Sequence, residues 1–402
     1  MVSLLTSGCM EPSAPDPTVQ SSRLETTSAS KVNSLSQLPG GLEFMNTRRV
    51  FEPQMTYLRD GTLVLIWRET GEAGSNLYSS VRAPDGTFGS PVRVNDAAHT
   101  VESITLDGMR AAIAVGSDST IAVAWSDTRA QIRVAVSTDA GINFEPSIRL
   151  DQSGEPAYRG FPAISFDRLG DLHAIWIDSR FAEDFAEEPA DLYYAKVSDG
   201  EVKEQNLTEE QQPSICGCCR TFINAADESL KMTFRNTTAG GYRDPYTISR
   251  SQDGEFSAPQ SVTDPLWELT GCPMAGPILA GDEVLWYDGS TGKKLTMVSS
   301  PGQRQARRVF DDEERGDWIG RQPPRAVSTK GGTGSVLLLP GHPTSRLISR
   351  GESGWHAVAD DLPSWSMSGA YADGQLDLVG AAPSGEFRFE RRGIAVGMQA
   401  YF

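Results

Sequence analysis

Histidine is scarce in this 402-residue chain. The four, His99, His173, His342 and His356, are scattered, and His173 sits inside an apolar run, so a structural role suits it better than a catalytic one. Helical signals are scarce too: no window holds a 3.6-residue apolar period. No stretch approaches the ~18 apolar residues of a membrane-spanning helix. Positive charge is also short, with 36 Lys and Arg against 53 Asp and Glu and a formal net charge of −17. That balance argues against nucleic acid or an anionic membrane as the main partner and favours a soluble surface. Cysteine is rare as well, five in all, and four of them fall in two short segments.

What the chain has is glycine and proline, 39 and 24, spread evenly, as many short strands and tight turns require. Residues 118 to 150 show the unit. Ile121 to Trp125 and Ile132 to Val136 are short, β-branched, apolar runs bounded by Asp, Gly and Asn, and they read as antiparallel strands. The turn Ser137-Thr138-Asp139-Ala140-Gly141-Ile142-Asn143-Phe144 offers side-chain acceptors to its own backbone and a glycine for positive φ. The Ser-x-Asp-x-Gly-x-x-Phe spacing resembles the Asp-box of the bacterial-neuraminidase-repeat, sialidase-like propellers.

Copies of the unit recur. Thr62 to Glu69 with Asn76 to Val81, Leu172 to Asp178 with Leu192 to Val197, and Leu230 to Asn236 with Tyr246 to Ser249 repeat the pattern, the last followed by an Asp-box one residue short at Ser251 to Phe256. Weaker copies follow at 283–310, 334–358 and 374–392. Their spacing is close to the ~40 to 50 residues of a propeller blade. The fold expected is all-β: one β-propeller of four-stranded antiparallel blades over residues 41–402, seven-bladed by count with six as the alternative. Gly41 to Asn46 is expected to supply the outer strand of the last blade and close the ring. Residues 1–40 read as a separate region, in which Leu5-Thr6-Ser7-Gly8-Cys9 resembles a truncated bacterial lipobox with Cys9 as the acylated residue. A disordered Ser/Thr/Pro-rich tether follows. The expectation is an exported protein, periplasmic or on the cell surface, whose membrane contact runs through that anchor alone.

With strands a to d counted outward from the axis, the b–c and d–a loops share one face, and the resemblance implies that this face carries ligands. The b strands end there in Arg68-Glu69, Asp127, Asp178, Arg235-Asn236 and Tyr287-Asp288, and the d–a loops add Tyr158 to Phe161, Trp318 to Arg321 and Trp365. These endings also read as salt bridges that stitch neighbouring blades. Sialidases use a Tyr nucleophile primed by Glu, an Asp acid/base and three Arg residues that grip the sugar carboxylate. The resemblance assigns Tyr287 with Glu69 to the nucleophile, Asp127 or Asp178 to the acid, and Arg68, Arg235 and Arg321 to the clamp, with Asp288 and Trp318 also binding substrate. Where the family has Arg-Ile-Pro, however, this chain has Arg49-Val50-Phe51-Glu52-Pro53. The expectation is therefore a glycan-recognising propeller, its ligand an acidic sugar or a cell-surface protein partner, with exo-sialidase hydrolysis weak or absent.

The remaining signal is Cys216-Gly217-Cys218-Cys219 before blade four and Cys272-Pro273-Met274 before blade five. These are equivalent d–a loops of adjacent blades, so the four sulfurs should meet near the axis. Export favours disulfides, most simply Cys219 or Cys216 with Cys272; reduced thiolates, with Met274, would favour copper or zinc.

Overall fold

In the computed structural model, seven four-stranded sheets form a seven-bladed β-propeller. The structure describes residues 38–394 apart from short internal stretches, the longest being 103–110, 182–189 and 310–322. Cys9 and the expected tether lie outside the described residues.

The inner strands a begin at Val50, Ala112, Arg159, Phe222, Ile278, Arg325 and Ser368. Each is followed by a b strand: Leu63–Gly71, Ile121–Ser126, Leu172–Asp178, Leu230–Arg235, Glu283–Asp288, Val336–Leu339 and Gln375–Ala381. The b strands are apolar without alternation because neighbouring blades cover both of their faces. Ile121–Ser126, Leu172–Asp178 and Glu283–Asp288 are buried at every position. The outermost strand of blade three, Glu201–Asn206, alternates exposed and half-buried instead, as a solvated edge should.

Trp67, Trp125, Trp176 and Trp286 occupy equivalent places in four b strands and are fully buried. Trp67 and Trp176 stack on Tyr78 and Tyr193 of their c strands, with ring centroids 5.9 Å apart in both cases. Seven apolar clusters fill the seven interfaces between blades. That between blades four and five is the smallest: five buried residues, Val262, Leu279, Val284, Trp286 and Met297, among the described ones.

The turn from Ser137 to Phe144 is built as its residues suggest. Ser137 Oγ accepts from the Gly141 amide at 2.8 Å, Asp139 accepts from the Asn143 amide at 2.8 Å, and Gly141 takes φ +86°. The Gly141 carbonyl in turn accepts a 2.7 Å bond from Ser79 of blade one, so the turn also ties two blades together.

Ring closure differs from the expectation. Gly41 to Asn46 adds no outer strand: Glu43–Thr47 is a 3-10 helix, and Leu42 and Met45 are fully buried between blades one and seven. Apolar residues three apart share one side of a tight helix but fall on opposite faces of a strand. The fourth strand of the last sheet is Ser328–Thr329, which continues the inner strand of blade six and pairs in parallel with Ser368–Ala372. Inner strands all run the same way along the axis, hence the parallel pairing. The seam is held by the Val50 amide on the Gly385 carbonyl at 2.8 Å and the Met55 amide on Ser368 Oγ at 3.1 Å.

Candidate functional site

The b strands deliver their polar endings to one face, and most of these side chains are bound within or between blades. Arg68 is buried. Its guanidinium donates to both carboxylate oxygens of Glu52 at 3.3 Å and to Thr70 Oγ1 at 2.9 Å, and it lies over the Phe51 ring at 5.1 Å. Glu52 itself sits at φ +52° in a bulge of the first strand, within the stretch that departs from Arg-Ile-Pro. Glu69 accepts from Trp67 Nε1 at 3.0 Å and from Arg48 at 2.8 Å. Asp127 Oδ1 closes its own turn, accepting from the amides of Arg129 and Gln131 at 2.8 and 3.0 Å.

Asp178 is a hub. Its Oδ2 accepts from Arg159 Nε at 2.9 Å, Arg180 Nη2 at 2.6 Å and Trp176 Nε1 at 3.1 Å. The Trp-x-acid pairing seen in blades one and three is therefore a structural brace. It is open in blade five, where Trp286 Nε1 and Asp288 Oδ2 are buried without a hydrogen-bond partner. Asp288 Oδ1 meanwhile caps the Ser290 amide at 3.0 Å. The Tyr287 hydroxyl points at the Pro340 carbonyl, 3.4 Å away, with its ring in the apolar interface of blades five and six.

The polar interior of the blade four and five junction is where predicted site residues do come together. Arg235 ends the b strand of blade four, fully buried. Its guanidinium donates to the carbonyls of Ala275 at 2.7 Å, Tyr287 and Arg243, and it stands 5.2 Å from the Trp267 ring centroid. Burial pulls its pKa below the usual arginine value. The Cys216 amide donates to the Arg235 carbonyl at 2.8 Å, which lays the cysteine segment against the end of that strand. Cys216 Sγ is 3.5 Å from Cys218 Sγ and 3.4 Å from Cys219 Sγ, and all three sulfurs lie within 4.8 Å of one another.

Cys216 and Cys219 are free thiols and buried, whereas the half-buried Cys218 is disulfide-bonded. The Cys219 hydrogen bond, aided by the Arg243 and Arg235 charges, brings the Cys216 thiol down to about 6 against the cost of burial. Burial pushes Cys219 well above the ordinary thiol value. Nearby, Asn236 Oδ1 and Arg243 Nε are further buried polar atoms without a partner.

Glu69, Asp127, Asp178 and Tyr287 thus stand on four different blades, each held by its local partners. Arg321, Trp318, Cys272 and Met274 lie outside the described residues. The sequence reading did not single out Glu52, Arg243 or the exposed Phe181. Glu52 replaces the family's motif and Arg243 sits in a b–c loop, and either position could have drawn notice. Nothing in the sequence marked Phe181.

No protein-family model matches the chain, and no curated protein matches its sequence. Solved structures share the fold at low identity. A puromycin hydrolase aligns with a TM-score of 0.55 and 12% identity, covering 93% of this chain and 58% of the hydrolase, so the chain spans little more than half of that protein. A polysaccharide lyase, an ulvan lyase bound to -[GlcA(1-4)Rha3S]-, aligns at 0.52 and 12%, covering 87% of this chain and 94% of the lyase. A Trypanosoma rangeli sialidase in complex with the inhibitor DANA aligns at 0.48 and 11%, covering 87% and 55%. The likenesses to the hydrolase and the lyase show the propeller fold alone.

Proposed function

We propose that this protein is an exported glycan-binding propeller, anchored through Cys9, that takes a neutral, hydroxyl-rich sugar on the b–c and d–a face and does not hydrolyse it. The observation that carries the reading is Phe181, 68% exposed on the b–c loop that follows Arg180. The other exposed large apolar side chains among the described residues, Ile142 and Leu169, lie on the opposite face, in a c–d and an a–b turn. An exposed ring suits stacking on the C–H face of a sugar.

Neutrality is supported by what three of the arginines already hold. Arg68 is paired with Glu52 and Arg159 with Asp178 and Asp151, so a ligand carboxylate would have to displace a protein carboxylate there, and Arg235 is fully buried with its donors on backbone carbonyls. The absence of hydrolysis is supported by the Tyr287 hydroxyl turned to a backbone carbonyl and by Glu69 engaged within the first blade and its entry. The ulvan lyase fold likeness is in keeping with a glycan ligand.

Glycan-array binding followed by calorimetry on the full chain tests the reading. A neutral oligosaccharide should bind, and Phe181→Ala should weaken it while leaving the melting temperature unchanged. Preference for sialylated glycans would overturn neutrality. Turnover of a fluorogenic sialoside that Tyr287→Phe abolishes would overturn the binding-only reading, and binding indifferent to Phe181→Ala would remove its carrying observation.

A further inference from the structure

We propose that Cys216, Cys218 and Cys219, once Cys218 is reduced, form a three-sulfur site for copper(I) in the d–a loop that enters blade four. The first support is geometry. Metal–thiolate bonds of ~2.3 Å hold sulfurs ~3.8 to 4.0 Å apart in tetrahedral or trigonal arrangement. Here the sulfurs stand 3.5 and 3.4 Å from Cys216, all within 4.8 Å, so fractions of an ångström separate them from a coordinating set.

The second support is charge. Three thiolates around one Cu(I) carry about two negative charges, which a buried site must offset. Arg235 is fully buried, its guanidinium donates to the carbonyls of Ala275, Tyr287 and Arg243, and its own carbonyl accepts from the Cys216 amide at 2.8 Å, which sets a buried positive charge beside the cysteine segment.

Ligand type suits the ion: an all-sulfur set of soft thiolates favours Cu(I). The disulfide at Cys218 makes the site redox-gated. A dithiol reductant supplies two electrons and two protons, the S–S bond breaks into two thiols, and Cu(I) then displaces the thiol protons as it binds. Cys218 is the half-buried member of the three and Cys216 and Cys219 are buried, so Cys218 is the most open to an incoming ion.

The test uses the full chain, reduced and anaerobic, titrated with Cu(I) against a chromophoric Cu(I) chelator. The expected result is ~1 tightly held Cu(I) per chain with sulfur-to-copper absorption in the near ultraviolet. The oxidised protein should hold none. Cys218→Ser, at the half-buried position, should keep the fold by circular dichroism and lose the copper, and Cys216→Ser should do the same if it folds. Chelator taking all the copper from reduced wild-type protein, or a folded Cys218→Ser that binds as wild type does, would overturn the site. Retention of zinc in preference to copper would overturn the choice of ion.

Discussion

Replacing Asp178 with Asn tests whether the polar endings of the b strands are braces rather than a spare charge for chemistry. The side chains of Asp178 and Arg159 are 0% and 2% exposed, and Arg180 is 9% exposed. Asn keeps the shape but removes the charge and turns an N–H₂ toward donors that needed an acceptor. Breaking one partner out of a buried ion pair costs ~3 to 5 kcal/mol. Part of that is recovered here, because Arg159 also reaches Asp151 at 3.5 Å and Arg180 reaches Glu204 at 2.6 Å.

The loss should therefore fall near the lower end, ~3 kcal/mol. At ~2 °C per kcal/mol, the low end for chains of 150–250 residues, the melting temperature should drop by ~6 °C. The comparison is Arg48→Met, which removes a pair with Glu69 whose arginine is 51% exposed and should cost ~0 to 1 kcal/mol. Differential scanning calorimetry of the two variants decides. Equal shifts, or Asp178→Asn within ~1 kcal/mol of wild type, would refute the view that this hub holds blade three together.

His173 should make stability fall with acidity. Burial lowers its pKa, although Asp167 at 3.1 Å opposes that, so the unfolded chain binds the proton first; stability is complete above ~6.5 and is lost as pH falls from there toward the folded value. Urea midpoints at pH 8 and pH 5 should differ less in His173→Gln than in wild type, and identical slopes would remove His173 as the cause. Met45→Ala should cost ~2 to 5 kcal/mol by opening a cavity in the closing interface, against at most ~0.5 for the exposed neighbour in Asn46→Ala. Denaturant melts that show both variants unchanged would place closure elsewhere.

The repeat was legible because it is local. A run such as Ile121 to Trp125, apolar at every position, must be covered on both faces whatever surrounds it, and only a neighbouring blade of the same kind does that. The turn from Ser137 to Phe144 is legible for the same reason, since Ser137, Asp139 and Gly141 satisfy one another within a few residues. The place of each ending around the ring followed from counting those units; the bond from the Cys216 amide to the end of strand b in blade four did not. What the endings do could not be read this way. Arg68 spends its charge on Glu52, sixteen residues earlier, because a bulge turns that carboxylate inward. Arg235 spends its donors on Tyr287, fifty-two residues on, and on Ala275 in the loop between. Whether a buried arginine is a clamp for a ligand or a brace for the fold depends on which carbonyls and carboxylates arrive from other blades, and only the closed ring brings them there.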